Sequence, residues 1–178
     1  ILDSFHGLFL KLIDLAIPTA AVVRGQCLGG GAELALFCNF IVASPTAAIG
    51  QPEIQLGVFP PPASLILPRK VGQSVADQLC LTGESIGAER ALELGIVTEV
   101  AEDPSAALNA FAAKHILPKS AASLRMGVRA ARFELNEALR QGLPAIQRLY
   151  IEELMATEDA NEGIASFLEK RKPAWKNR

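Results

Sequence analysis

The sequence predicts an α/β protein, and three observations support that prediction. Short apolar runs of strand length, such as Ala20–Val23 and Phe40–Ala43, alternate with segments of helical spacing. Glycine- and proline-rich turns separate these segments. The 178 residues are 50% hydrophobic and 20% charged, a composition that can bury one sizeable core. We therefore expect one globular α/β unit.

Predicted helices and strands alternate in the first half of the chain. Apolar residues at helical spacing predict a helix from about Ile1 to Leu15, which Pro18 ends. A glycine triplet then leads into a predicted helix over Ala32–Cys38, whose first turn begins near Gly30. The expected extended segments of this half are Ala20–Val23, Phe40–Ala43 and Ala48–Gly50.

The next region is predicted to be a loop followed by helices. Gln51–Glu53 leads onto Gly57–Pro62, whose three prolines remove backbone donors and predict a rigid loop rather than a helix. Gly95 is placed to close the last of the helices that follow. The expected elements are helices at Ala63–Val71, Ser74–Leu81 and Ala88–Leu94, and a strand at Ile96–Val100.

The remainder of the chain, from Pro104 onward, has a helical pattern. Its expected helices cover 105–116, 120–133, 136–155 and 159–171. We therefore divide the chain into an α/β part, residues 1–105, and a helical layer, residues 106–178.

Composition excludes several classes of function. A net charge of −2 and a pI near 5.8 give no general attraction to nucleic acid or to anionic lipid. The apolar runs are too short for a membrane span. Cys27, Cys38 and Cys80 lack metal-ligand spacing. No nucleic-acid, membrane or metal partner is expected, and reduced cysteines favour a cytoplasmic protein.

Two isolated carboxylates mark a candidate site. Residues 25–68 contain only two charged side chains, Glu33 and Glu53. A lone carboxylate is costly to place among apolar residues. Glu33 lies two residues after the glycine triplet, in the first turn of the predicted helix. This pattern indicates a site built around the two glutamates.

The glycine triplet predicts a group of free backbone donors. A strand, a glycine-rich turn and a helix start present unpaired N–H groups to an oxyanion or a phosphate. The dinucleotide fingerprint fails because Leu34 stands where a third glycine is needed, and no lysine follows as in a phosphate-binding loop. A carbonyl or alkene ligand between Glu33 and Glu53 would meet one acid and one base, a pair that can add or remove water.

Structural interpretations of the same residues remain open at this point. The glycines could serve tight helix–strand packing alone. Glu33 could be a charge stabilised by the helix dipole, and Glu53 could be paired with Arg69. His6 and His115 fit helix surface or core positions, and no serine or aspartate arrangement supports a catalytic triad.

Two motifs resemble those of one known family. The runs PTAAVVRGQCLGGGAELA at 18–35 and AIGQPEIQLG at 48–57 closely resemble the enoyl-CoA hydratase/isomerase (crotonase) family. The likeness continues through LTG at 81–83 and ends in ASFLEKR at 165–171. It implies a spiral of ββα units with a C-terminal helical layer.

The resemblance also implies a chemistry. Members stabilise a thioester enolate with two backbone N–H groups, of which Gly30 matches one. The other would belong to a segment before Ile1, so we expect an N-terminal part of the core to be absent. Glu33 would be the general base that activates water, and Glu53 the general acid at the α-carbon. No cofactor is implied beyond the CoA that the substrate carries.

The resemblance places further residues on the acyl-CoA substrate: Leu28, Gly29, Phe59, Pro61, Phe167 and Lys170. Pro61 replaces a family glycine near the catalytic water, which removes a backbone donor and stiffens the pocket rim. The loop around Phe59 and Pro61 resembles that of the cyclohexa-1,5-diene-1-carbonyl-CoA hydratases. This departure argues against simple hydration of a linear enoyl-CoA. The resemblance thus implies a hydratase that adds water to an α,β-unsaturated or a cyclic dienoyl-CoA thioester.

The C-terminal end is basic, with five lysines and arginines at positions 170–178. On charge alone a solvated helix terminus is favoured. In the family, residues matching Phe167 and Lys170 approach the CoA adenine and phosphates, and the helical layer builds trimers or hexamers. Two alternatives to a hydratase remain: a double-bond isomerase and a non-enzymatic RNA-binding protein of the same fold.

Overall fold

Two small sheets and nine α-helices form the part of the chain, residues 2–178, that a computed structural model of the protein describes. The helices are α1 (Leu2–Leu15), α2 (Gly30–Phe37), α3 (Pro61–Val71), α4 (Gln73–Thr82), α5 (Ala88–Glu93), α6 (Pro104–His115), α7 (Ala121–Ala131), α8 (Phe133–Arg148) and α9 (Glu158–Leu168). A 3₁₀ helix covers Pro52–Leu56, a π-helical segment covers Leu149–Glu153, and a second 3₁₀ turn covers Leu154–Ala156. Ile1, where the first helix was predicted to begin, lies outside the described residues.

The strands are β1 (Ala20–Val23), β2 (Gln26–Leu28), β3 (Phe40–Ala43), β4 (Ala48–Gly50), β5 (Ser85–Gly87) and β6 (Glu99–Val100). One sheet has the order β1-β3-β6 and is parallel throughout. In the other, β2-β4-β5, the β2 and β4 strands are parallel and β5 is antiparallel to β4. The first four strands therefore alternate between the two sheets, with α2 following β1 and β2, and α3 following β3 and β4.

The core lies between the sheets and the helices that cover them. Its largest fully buried side chains include Phe9 of α1, Leu36 of α2, Ile66 of α3 and Leu139 of α8. Helix α8 packs against both α1 and α3. This packing fixes the start of α3, which forms one side of the site described below.

Several predicted boundaries were wrong. Gly57–Pro62 was predicted to be a loop, but Pro61 and Pro62 begin α3, because the first turn of a helix needs no N–H donors. Gln51–Glu53 leads into a 3₁₀ helix instead of a loop. The predicted strand Ile96–Val100 is reduced to its last two residues.

The short strands β2 and β5 were not predicted. The helix predicted at 136–155 begins earlier and gives way to the π-helical segment and a 3₁₀ turn. The strands β1, β3 and β4 occupy their predicted residues.

Candidate active site

The glycine turn has a backbone conformation that favours glycine strongly. Gly29 lies between β2 and α2 with φ 55° and ψ −132°, and its N–H donates to the Gly50 carbonyl oxygen (3.1 Å). A side chain is strained at such a positive φ. The turn directs the chain into α2, where Gly30 is the first helical residue. The N–H of a first helical residue has no partner within its helix, so Gly30 can donate to a ligand.

Glu53 reaches Gly29 from the 3₁₀ helix. A β-carbon at position 29 would lie 2.6 Å from Oε1 of Glu53, closer than atoms can approach. A β-carbon at Gly30 would meet the Phe5 ring at 3.4 Å and Oε2 of Glu33 at 4.0 Å. Both carboxylates therefore lie beside the dipeptide Gly29-Gly30, that of Glu53 at Gly29 and that of Glu33 at Gly30.

The glycine triplet does not serve packing alone. A β-carbon at Gly31 would have no neighbour within 4 Å, and the close contacts at Gly29 involve a carboxylate. Arg69 donates to the Leu65 carbonyl oxygen at 3.0 Å, and among the ion pairs of residues 2–178 none joins it to Glu53. The contacts therefore do not support glycines that serve packing alone or a Glu53 that is paired with Arg69.

Glu33 is held by the start of α3. Its Oε1 accepts a hydrogen bond from the Ala63 N–H at 3.0 Å, and the residue is only 3% exposed. Pro61 and Pro62 carry no N–H, so Ala63 supplies the first donor of α3. Because of the two prolines, the Ala63 N–H is the single backbone donor of α3 before Ser64, and it donates to Glu33.

Both carboxyl groups hold protons more tightly than an exposed glutamate does. Burial raises the pKa of Glu33 to about 8; the Ala63 hydrogen bond opposes this rise, and the negative charge of Glu53 adds to it. Burial also raises the pKa of Glu53, against a hydrogen bond to its own backbone. Oε2 of Glu53 is buried without a hydrogen-bond partner. Two such groups can share one proton near neutral pH.

The pKa of Glu33 gives a stability prediction. Its ordinary value is 4.5 and its value in the fold is about 8. Between these values the unfolded chain has lost the proton that the folded chain keeps, so raising the pH through this window favours unfolding. The free energy of unfolding should fall by a few kcal/mol, at about 1.4 kcal/mol per pKa unit.

Urea denaturation at pH 5, 7 and 9 measures this effect. Glu33→Gln should remove most of the decline, whereas Glu102→Gln, at an exposed position, should retain it. A decline equal in all three proteins would contradict the assignment to Glu33.

Glu53 is supported by its 3₁₀ helix. The helix ends at Gly57, in the left-handed region with φ 70°. Helix α9 packs closely on it, since a β-carbon at Gly163 would lie 2.0 Å from the Leu56 carbonyl oxygen. Gln51, just before the helix, is 1% exposed with both amide atoms lacking a partner among the described residues. Unpaired buried polar atoms beside a carboxylate are typical of a site that holds water or a ligand.

The other predicted site residues divide into two groups. Leu28 ends β2 next to Gly29 and is half-buried. Pro61 is buried at the start of α3, and Phe59, half-buried just before it, packs its ring on Tyr150. All three lie within two residues of a backbone contact to one of the glutamates, at Gly29, Val58 or Ala63. By contrast, Phe167 is 62% exposed at the end of α9 and Lys170 follows on the surface.

The basic C-terminal end is largely neutralised. Arg171 pairs with Glu162 and Glu169, and Lys176 pairs with Glu158 at 2.8 Å. Arg178 also pairs with Glu158, at 3.1 Å. Trp175 packs near Gly57, with its Cζ3 3.1 Å from the position of a β-carbon there. Of the five cations, Lys170 and Lys172 are those for which the described residues show no ion pair.

Three contacts of the site were missed by the sequence analysis: Ala63 on Glu33, Phe5 on Gly30, and Tyr150 on Phe59. A backbone donor has no signature of its own, although two prolines before Ala63 could have indicated it. The spacing of Phe5 and Tyr150 identifies helix faces and says nothing about distant partners.

The described residues contain neither a metal-binding cluster nor a membrane-spanning helix. In residues 2–178 no group of three or more His, Cys, Asp or Glu side chains is arranged to hold a metal ion. No helix within that range has the length and apolar character needed to cross a membrane.

Comparison with known proteins identifies relatives over the whole chain. A family model described as Enoyl-CoA hydratase/isomerase matches residues 2–178. The chain is 47% identical over 177 residues to the cyclohexa-1,5-dienecarbonyl-CoA hydratase of Thauera aromatica, covering 99% of this chain and 69% of that protein. It is 41% identical over 180 residues to the 2,3-dehydroadipyl-CoA hydratase of Escherichia coli K12, again with 99% and 69% coverage.

Solved structures of enoyl-CoA hydratases have the same fold as this chain. An enoyl-CoA hydratase from Mycobacterium avium superposes with a TM-score of 0.87 at 28% identity, over 98% of this chain and 69% of the other. One from Mycobacterium avium subsp. paratuberculosis superposes with a TM-score of 0.89 at 24% identity, over 99% and 72%. The two-sheet arrangement with its helical layer is therefore the fold of these hydratases.

Proposed function

The chain belongs to the enoyl-CoA hydratase/isomerase family, as a lyase of the hydratase type with the crotonase fold, and from that premise we propose its reaction and substrate. It adds water to a double bond conjugated with a CoA thioester, and its preferred acyl group is a cyclic diene. The observation that carries this proposal is that the carboxylates of Glu53 and Glu33 both lie beside Gly29-Gly30.

The proposed reaction follows from that placement. Glu33 removes a proton from water, whose oxygen bonds to the β-carbon of an α,β-unsaturated thioester. The electron pair of the double bond moves toward the thioester oxygen, where the Gly30 N–H stabilises the resulting enolate. Glu53 then gives its proton to the α-carbon. One water is consumed and no electron is gained or lost, so the reaction needs no cofactor beyond the CoA of the substrate.

The two carboxyl groups suit these roles through their hydrogen bonds. The Ala63 N–H donates to Oε1 of Glu33, which favours the ionised form needed in a base and leaves Oε2 free. The buried Oε2 of Glu53 lacks a donor, and this favours the protonated acid. Because the pKa of Glu33 is about 8, only part of the free enzyme is active at neutral pH.

The identity of the acyl group rests on two features. The relative named cyclohexa-1,5-dienecarbonyl-CoA hydratase is 47% identical to the chain, above the 41% of the relative named for the linear 2,3-dehydroadipyl-CoA. Pro60, Pro61 and Pro62 are buried and form a stiff, donor-poor edge beside Phe59. Such an edge suits a rigid ring better than a flexible chain.

Turnover of the purified full-length protein tests the proposal. Cyclohexa-1,5-diene-1-carbonyl-CoA should be hydrated with a higher kcat/KM than crotonyl-CoA, and kcat/KM should rise with pH toward a plateau above about 8, where Glu33 is ionised. Because the Glu53 acid must keep its proton, kcat/KM should fall again once Glu53 ionises. A kcat/KM that falls throughout the range in which Glu33 ionises would exchange the roles of the two glutamates. Isomerisation without uptake of water would refute the hydratase assignment.

The assembly and the CoA contacts are part of the same proposal. Helix α7 has no buried residue, and Met126 within it and Phe133 at the start of α8 are more than half exposed. We propose that these apolar surfaces are covered in a homotrimer or a hexamer, and that Phe167 and Lys170 contact the CoA adenine and phosphates. Sedimentation velocity of the full-length protein measures the assembly.

A further inference from the structure

Tyr150 packs on Phe59, an aromatic residue that lies in the chain between Glu53 and Ala63, the residue that binds Glu33. Its ring meets that of Phe59 edge-on, with the ring centroids 5.3 Å apart and the planes at 76°. Phe59 lies between the 3₁₀ helix that carries Glu53 and the start of α3 that holds Glu33. Tyr150, from the helical layer, is therefore brought to the edge of the site.

The local backbone is unusual where Tyr150 is placed. Leu149–Glu153 is a π-helical segment inserted directly after α8. A π-helical turn is wider than an α-helical one, is rarely favoured by the sequence alone, and occurs frequently at functional sites. The insertion changes the direction of side chains after α8 and leaves Tyr150 half-buried against Phe59.

The electrostatics agree with this placement. Burial raises the pKa of Tyr150, and the negative charges of Glu53 and Glu33 raise it further. Their influence means that the phenol group lies within electrostatic range of both carboxyl groups. The hydroxyl stays protonated near neutral pH and is available as a hydrogen-bond donor.

We propose that Tyr150 determines acyl-group specificity, forming with Phe59 an aromatic wall of the acyl site that favours a flat, conjugated ring over a linear chain. The inference rests on the proposed function, since it assumes that the acyl group lies between Glu33 and Glu53. Aromatic rings pack well on flat unsaturated groups through stacked or edge-on contacts. A flexible aliphatic chain makes fewer of these contacts and loses more conformational freedom on binding.

The test is the ratio of kcat/KM for cyclohexa-1,5-diene-1-carbonyl-CoA to that for crotonyl-CoA. Tyr150→Leu keeps apolar bulk but removes the flat ring, and should lower the ratio about tenfold or more. Tyr150→Phe keeps the ring and should retain most of the ratio. Phe59→Leu should have an effect similar to that of Tyr150→Leu, and the double variant should lose less than the product of the two.

The matched control is Phe111→Leu, the same kind of change at a half-buried ring that packs on Phe40 with the centroids 4.8 Å apart, which should leave the ratio unchanged. If Tyr150→Leu lowers turnover of both thioesters equally, or of neither, the specificity role is wrong while the hydratase function stands. If the unmodified enzyme hydrates neither thioester, the proposed function itself fails. A thermal melt identifies any variant that does not fold, and the ratio for Tyr150→Phe, expected to keep the fold, then decides whether the ring suffices.

Discussion

Replacing Glu33 or Glu53 by glutamine is expected to lower kcat for thioester hydration by at least about 10²-fold in each case. Glutamine keeps the shape and most hydrogen bonds of glutamate but cannot transfer the proton. Substrate affinity should change less than kcat, because the lost interaction belongs to the transition state. Steady-state kinetics with a saturating conjugated thioester measures both quantities.

The double variant sharpens this prediction. Residues that act as a unit are not additive, so Glu33→Gln/Glu53→Gln should lose less than the product of the single losses. Glu102→Gln, at an exposed position, is the control and should keep normal turnover. Near-normal hydration rates in both single variants would mean that the two glutamates are structural.

Gly29→Ala is expected to be as damaging, through the backbone rather than through a functional group. The substitution adds a β-carbon 2.6 Å from Oε1 of Glu53, at a residue with φ 55°. Either Glu53 or the glycine turn must move, so Gly30 loses its orientation. Losing a positioned oxyanion donor typically costs about 10²–10³-fold in kcat, and backbone strain of this type costs about 1–3 kcal/mol of stability.

Gly31→Ala is a matched control two residues away. A β-carbon there would meet nothing within 4 Å, and alanine is favoured over glycine within a helix by about 1 kcal/mol. The control should keep its activity and melt at the same or a higher temperature. Equal activity of the Gly29 and Gly31 variants would show that the turn does not position the catalytic groups.

The sequence predicted those parts of the fold whose cause is local. Ala20–Val23 and Phe40–Ala43 are continuous apolar runs, which is what a buried parallel strand requires. The strands Gln26–Leu28 and Ser85–Gly87 have three residues each, too few for any period, and they depend on pairing with β4. The start of α3 was missed because prolines were read only as helix breakers, although the first turn accepts them.

The candidate site, like the fold, was predicted only where its cause is local in the sequence. Glu33 and Glu53 were identified because a charged residue in an apolar stretch is visible in the sequence. Their placement beside Gly29-Gly30 depends on the second sheet, where β4 sets the position of the 3₁₀ helix. The contact between Phe59 and Tyr150 depends on how the helical layer folds back, and a π-helical insertion has no simple sequence signal.

The hydrogen bond from Ala63 to Glu33 provides a built-in spectroscopic reporter. An amide donates more strongly to a charged carboxylate than to a neutral carboxylic acid, so its proton resonance moves when the acceptor ionises. In protein labelled with ¹⁵N-alanine, the Ala63 signal should therefore follow the ionisation of Glu33 at one atom, without substrate or turnover. The same signal in Glu33→Gln should stay constant with pH. The protonation state of Glu33 in the substrate-free protein could then be measured independently of catalysis.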